Sequence, residues 1–281
     1  MKPFHIFLIL LTTAAWGLNF VSTRIVLEVF STEQLAFARS AISFLILLPW
    51  WQPWRRVSLR FLAAAFAVGV LSFYILYEAI RMTDSLTTVA IGTQLMPPIA
   101  TIIALVFYQE PVVLKKWVGI GVATAGAILL AGASGWGISA LALGVTVVSV
   151  LFYAAGSVGV SRTEHIGIWR LLAWVAAVGV VPLGILASLS GPLYPDPATL
   201  GWVHWLALAF SIVFSALLGQ AVLFSLYRVY PVSDVAPYTL FVPVFAGLFS
   251  VLIFGEHLSL GLVVGGAVVL LGVWIQQTSR R

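Results

Sequence analysis

The sequence predicts an all-α polytopic membrane protein, with ten transmembrane helices arranged as two inverted five-helix repeats. Three observations predict it. The first is composition: 62% of the 281 residues are hydrophobic and 8% are charged, with a mean hydropathy of +1.10. A soluble domain carries roughly a quarter charged residues. The second is an internal repeat. Pro97, Ala100, Glu110, Gly119 and Gly126 recur as Pro243, Ala246, Glu256, Gly265 and Gly272, each 146 positions on. Self-similarity at half the chain length marks a duplicated unit, placed here at residues 1–134 and 135–281. The third is the distribution of cations. With ten spans and the N-terminus inside, one side collects Lys2, Arg55, Arg56, Arg60, Lys115, Lys116, Arg162, Arg170, Arg228, Arg280 and Arg281. The other side receives only Arg24, Arg39 and Arg81. That eleven-to-three bias follows the positive-inside rule and predicts ten spans with both termini cytoplasmic; the expected location is the plasma (inner) membrane. Five spans per copy is an odd number, so the second copy inserts upside down relative to the first.

A span needs about 20 apolar residues, and ten fit, near 4–27, 33–51, 59–80, 85–107, 112–132, 137–160, 167–189, 202–227, 232–254 and 258–277. The first follows Lys2 and runs past residue 20, with Trp16, Gly17 and Asn19 beyond the weak small-residue site at Thr13–Ala15. It reads as an uncleaved span rather than a signal peptide. Gln52-Pro53 ends the second, and Gln109-Glu110-Pro111 separates the fourth from the fifth. Gly132 to Gly137 separates the two halves, Gly191 to Pro197 forms the longest connection, and Gly255-Glu256-His257 precedes the last span.

Several polar and aromatic residues stand inside these spans. Trp16 sits near mid-span, away from the interfacial belt where most of the other tryptophans fall. It reads either as a helix–helix contact or as a stacking wall for an aromatic or cationic substrate. Asn19, three residues on, shares its face and needs partners in the bilayer. Tyr74, Tyr77 and Glu78 share a face of the third span at i, i+3 and i+4. Glu78 is either a partner of Arg81, Arg24 or Arg39, or a substrate-amine contact or protonation site. Arg39 is the deepest cation. Thr93 and Gln94 precede Met96-Pro97-Pro98, and Pro237, Tyr238, Thr239 and Pro243 mirror them in the ninth span. Broken helices at matching places in two inverted halves point to a binding site. Gln220, Phe224 and Tyr227 share a face of the eighth span, and Tyr153 and Ser157 are candidate liners in the sixth. Glu110 and Glu256 read as structural, each standing just before the next helix, whose positive N-terminal end favours a carboxylate. Gly119, Gly126, Gly265 and Gly272 read as small-residue contacts between the fifth and tenth spans.

Trp16-Gly17-Leu18-Asn19-Phe20, Phe37-Ala38-Arg39, Tyr77-Glu78-Ala79-Ile80-Arg81 and the repeated block from Pro97 to Gly126 resemble the drug/metabolite transporter superfamily, specifically its EamA-type members. The resemblance covers nearly the whole chain. It implies a ten-helix bundle whose cavity is lined mainly by spans 1, 3, 4, 6, 8 and 9. It also implies export or exchange of small metabolites, aromatic and apolar amino acids among them, and gives Arg39 a structural or gating pair, with a substrate carboxylate as the second reading. The sixth span departs from the pattern: Tyr153 stands where the first has Trp16, and no Asn follows it.

The expected substrate-binding set is therefore Trp16, Asn19, Tyr74, Tyr77, Glu78, Gln94, Tyr153, Gln220 and Tyr238, and the expected structural or gating set is Arg39, Pro97, Pro243, Glu110 and Glu256. The expected partners are a small-molecule substrate and the lipid bilayer, with the protein a monomer or weak homodimer. No metal, cofactor, catalytic group or nucleic acid is expected. The absence of Cys removes thiolate metal sites and thiol catalysis. No Walker loop is present, so ATP does not drive transport directly. An intramembrane enzyme acting on a lipid or prenyl substrate is the alternative class, but His5, His165, His204 and His257 lie at ends or loops. A channel would need a ring of charges or a filter-like loop, and the spans offer neither.

Overall fold

The computed structural model describes residues 1–52, 57–83, 89, 92–132, 140–163, 166–242, 244–246, 248–249 and 260–278. Among them there is no β-strand. The helices are α1 (Pro3–Leu27), α2 (Thr32–Leu47), α3 (Leu59–Arg81), α4 (Met96–Tyr108), α5 (Leu114–Gly132), α6 (Ala140–Thr163), α7 (Ile168–Ser190), α8 (Trp202–Val229), α9 (Val232–Val235, continuing as a 3-10 segment Ala236–Phe241) and α10 (Leu260–Gln277). Five of these, α1, α3, α6, α7 and α8, are each long and apolar enough to cross a membrane. The chain is a polytopic all-α membrane protein.

Local chemistry starts and stops these helices where the sequence predicts. Ser31 and Gln34 form a reciprocal capping box at α2, Gln34 N donating to Ser31 Oγ at 3.2 Å and Ser31 N to Gln34 Oε1 at 2.9 Å. The break expected near Pro97 is a turn at Gln94–Leu95, and α4 begins at Met96 with Pro97 and Pro98 in its first turn. A proline there has no helical hydrogen bond to lose. In the ninth span, Pro237 and Tyr238 lie in tight 3-10 backbone rather than at a simple break.

The relation between the halves is read from close contacts. A Cβ placed on Gly126 of α5 would meet Val269 N of α10 at 2.6 Å, and one on Gly272 of α10 would meet the backbone of Ala123 on α5. Three residues along α5 correspond to three residues back along α10, so the two helices run antiparallel. They are also the repeat equivalents of each other: Gly126 corresponds to Gly272 and Ala123 to Val269. Equivalent helices packed head to tail through equivalent glycines mean that a two-fold axis across the bundle relates the copies. The α2–α7 pair follows the same rule: Ser40 Oγ donates to Ala176 O at 2.8 Å, while Phe37 packs on Gly184 farther along.

The inner pairs repeat it again. α6 crosses α3, where Ser149 Oγ donates to Ser72 O at 2.7 Å and Gly156 lies against Val68. α1 crosses α8, where Trp16 Nε1 donates to Ser215 O at 3.2 Å and the indole lies against Gly219. Both α3 and α8 widen at this crossing into a π-helical stretch, Ala67–Leu71 in one and Ser211–Gly219 in the other. Such turns interrupt the regular i→i−4 ladder and are frequent at functional sites. Both termini lie at one end of the bundle: Lys2 N donates to Tyr230 OH there, and Lys115 reaches Thr278 O.

The α5–α10 contact yields a test. Gly126→Leu should cost at least about 1–3 kcal/mol, the usual range for overpacking. Gly121, on the same helix with nothing within 4 Å of an added Cβ, should accept Leu with no loss. Thermal unfolding of the two purified variants checks this, and equal midpoints would contradict the antiparallel glycine contact.

Candidate functional site

Where the π-helical crossings meet, the bundle holds a cavity with about 130 Å³ of space open to the centre of a water molecule. That is room for several waters or part of a small metabolite. Its wall is drawn from both halves: Trp16, Asn19, Phe20 and Thr23 on α1, Arg39 on α2, Ser72, Phe73, Leu76, Tyr77 and Ile80 on α3, and Ser149, Val150 and Tyr153 on α6. Thr93, Gln94 and Met96, with Ser215 on α8 and Thr239 and Val242 beyond, complete it.

A file of four rings forms one side. Trp16 meets Tyr153 edge-on with centroids 6.4 Å apart, and Tyr153 meets Phe73 edge-on at 5.8 Å. Phe73 then leans on Tyr77 at 6.3 Å. Edge-to-face packing leaves ring faces available for a flat or apolar guest. The polar groups are few. Asn19 Nδ2 donates to Thr23 Oγ1 at 3.3 Å, while its buried Oδ1 has no partner among the described residues. Gln94 is 2% exposed and lies beside Thr93.

Arg39 is the charge in this wall. Its guanidinium stands 3.3 Å above the centroid of the Phe73 ring, and Nη1 donates to Tyr77 OH at 2.9 Å. No carboxylate lies within ion-pair distance of it among the described residues. A desolvated cation–π contact contributes about 2 kcal/mol, and a hydrogen bond to a charged group about 1.5–3 kcal/mol. Burying an ion still costs several kcal/mol after relaxation, so these two contacts offset only part of the cost. Arg39 also lines a smaller pocket that Ser40, Ser43 and Gln220 share.

The end of the bundle that carries the termini is closed by charges. Arg162 of α6 pairs with Glu110, following α4, and also donates to Tyr230 O at 3.2 Å. The other oxygen of Glu110 accepts from Val232 N at 2.8 Å. Lys116 of α5 pairs with Asp234 of α9 at 2.6 Å and donates to Ser233 Oγ at 3.2 Å. His5 Nδ1 lies 2.8 Å from Tyr230 OH. These links tie α1, α4, α5, α6 and α9 together below the cavity floor.

Of the expected substrate-binding residues, Trp16, Asn19, Tyr77, Gln94 and Tyr153 stand together on the cavity. Tyr74, Glu78, Gln220 and Tyr238 do not. Adjacent helical residues point about 100° apart, and Phe73, Leu76, Tyr77 and Ile80 define the cavity-facing stripe of α3. Tyr74 turns instead toward Glu33, and Glu78 turns toward Arg81 in a long ion pair of 3.8 Å. Gln220 opens on the side pocket, and Tyr238 stacks on Phe241 at 6.4 Å. Arg39, expected as a structural or gating partner, lines the cavity itself. Glu110 serves the N-terminus of α9 and Arg162 rather than the helix that follows it. Pro97 is buried at the start of α4, and Pro243 and Glu256 lie outside the described residues.

Sequence reasoning missed Phe20 and Thr23, which extend the Trp16–Asn19 face by one turn and were legible from helical spacing. It also missed the Ser72 and Ser215 carbonyls, for which a π-helical turn leaves no residue signature. Nothing in the spacing of Lys116, Arg162 and Asp234 announced the closed end.

Comparisons place this geometry among known proteins. Residues 3–132 and 139–276 each match the family model described as the EamA-like transporter family. Among solved structures, one crystal structure with 14% sequence identity superposes with a TM-score of 0.80, covering 99% of either chain. That likeness concerns the fold. No curated protein sequence matches.

The charged closure yields a second test. The chain has no cysteine, so Ser157→Cys, on the buried stretch of α6 between cavity and closed end, gives a single reporter. Glu110→Gln should raise its labelling several-fold by a membrane-impermeant thiol reagent applied from the Arg162 end. Unchanged labelling would remove Glu110 from the closure.

Proposed function

The chain belongs to the EamA-like transporter family, and on that premise we propose that it is a secondary carrier exporting small amphipathic metabolites, aromatic and apolar amino acids foremost. It is a membrane transporter by family. The finer reading rests on one observation: a central cavity walled by both inverted halves and sealed at only one end by ion pairs among the described residues. Two copies related by a two-fold axis exchange their conformations, so the seal passes from one end to the other and the cavity faces each side in turn. With the N-terminus cytoplasmic in the inner membrane, the end tied by these ion pairs is the cytoplasmic one.

The cavity wall favours a guest with a flat apolar part. Trp16, Tyr153 and Phe73 offer ring faces and edges to it, and Asn19 Oδ1 offers an acceptor to an amine. The apolar character of the remaining wall disfavours sugars and polyphosphates, whose many polar groups would lose their hydration there. The substrate gradient supplies the driving force. Glu78, which the sequence places clearly inside a span, is paired with Arg81 away from the cavity.

Counterflow in proteoliposomes tests the reading. Vesicles loaded with unlabelled phenylalanine should accumulate labelled phenylalanine transiently and saturably. Trp16→Ala and Tyr153→Ala should each lower that rate about tenfold, the equivalent of about 1.4 kcal/mol of lost stacking. Tyr74→Phe should leave it intact. Absence of counterflow across phenylalanine, tryptophan and leucine would contradict the carrier reading for this substrate class. Glu78→Gln should change neither the exchange rate nor its pH profile, and a flattened profile would restore Glu78 as a coupling site.

A further inference from the structure

We propose that Arg39 is the anion-binding residue of the cavity, and that the guests this protein accepts must carry a carboxylate. The inference rests on the carrier reading only in taking the central cavity as the substrate site. A guanidinium has five N–H donors in a planar fork, and Tyr77 OH takes one of them. Phe73 covers one face of the plane at 3.3 Å, which fixes the orientation of the fork without using a donor. The remaining donors have no hydrogen-bond partner among the described residues. Arg39 is only 7% exposed yet lines both the main cavity and the side pocket.

A structural arginine at this depth would be expected to meet a carboxylate of its own chain. The acidic groups of the neighbouring helices are directed elsewhere: Glu78 toward Arg81, Glu110 toward Arg162 and Asp234 toward Lys116. Glu33, at the start of α2, lies beside Tyr74. Among the described residues the cavity therefore holds a preoriented cation, held by Phe73 and Tyr77, with no carboxylate paired to it. The counter-charge that fits is a bidentate planar anion, for which the guanidinium fork has matched geometry. Ring faces beside it suit an aryl or alkyl substituent on the same molecule. Ser43 and Gln220 line a second pocket that Arg39 shares.

This assigns the two poles of the cavity. The carboxylate sits on Arg39 and the apolar substituent lies along Trp16, Tyr153 and Phe73. Tyr77 is a positioning residue, since it acts through the Arg39 fork.

Calorimetric titration of the purified full-length protein with three probes of one shape tests it: 3-phenylpropionate, its neutral amide and phenethylamine. The acid should bind at least tenfold more tightly than the amide, and the amine should not bind measurably. Arg39→Gln should erase the preference for the acid over the amide, and Arg39→Lys should retain part of it. Equal affinities for acid and amide in the unmodified protein, or no binding of the acid, would overturn the proposal whatever the fate of the variants. Displacement of the acid by chloride at equal concentration would overturn it in favour of an inorganic-anion site. Binding of the acid without its counterflow in liposomes would contradict the carrier reading and leave the Arg39 site standing.

Discussion

The head-to-tail contact of α5 and α10 at Gly126 and Gly272 is the constraint from which the rest of the molecule follows. In a bilayer no hydrophobic driving force separates helix from lipid, so association depends on close backbone packing and internal hydrogen bonds. Glycines supply the close packing here, and their equivalence under the repeat forces the two copies into opposite orientations. Once that is fixed, α1 must cross α8 as α6 crosses α3. Each crossing then places a side-chain donor on a carbonyl in or beside a π-helical stretch: Trp16 on Ser215, and Ser149 on Ser72. The cavity is the space left between these two crossings.

Symmetry makes the frame, and departures from it make the site. Trp16 and Tyr153 occupy corresponding helices and meet edge-on across the cavity, one ring from each half. Arg39 belongs to one half only; its interaction partners Phe73 and Tyr77 belong to that same half. The closed end is also one-sided in chemistry. Lys116 corresponds to Leu262 after 146 positions, so the Lys116–Asp234 pair cannot recur at the opposite end. A carrier whose two closures differ in charge has two end states of unequal energy, which biases the resting population toward one of them.

Much of this was legible in the sequence. Span lengths, loop punctuation and the 146-residue offset gave the helices and their inverted relation, because bilayer thickness and the positive-inside bias are strong and simple constraints. Trp16, Asn19, Tyr77, Gln94 and Tyr153 were legible from depth and residue type. What failed was angular detail. Tyr74 and Glu78 lie close to Tyr77 in sequence, yet rotation about the helix carries them off the cavity stripe. The structural reading of Glu110 was legible, but its partners were not: Arg162 and Val232 come from distant segments that no local spacing links to it. Arg39 was legible as a deep cation, but whether its counter-charge comes from the chain or from a guest depends on where every nearby carboxylate points.

The most direct measurement of the central account is the pair of end-to-end distances in one molecule. Spin labels on cysteines introduced into this cysteine-free chain, at Glu28 and Leu141 for one end and at Leu114 and Val229 for the other, report each opening by electron–electron dipolar spectroscopy. In lipid, with and without phenylalanine, the account predicts two populations at each end that shift in opposite directions, one end widening as the other narrows. A single distance at both ends, or two ends that open together, would contradict an inverted-repeat carrier and point to a continuous pore or a rigid bundle.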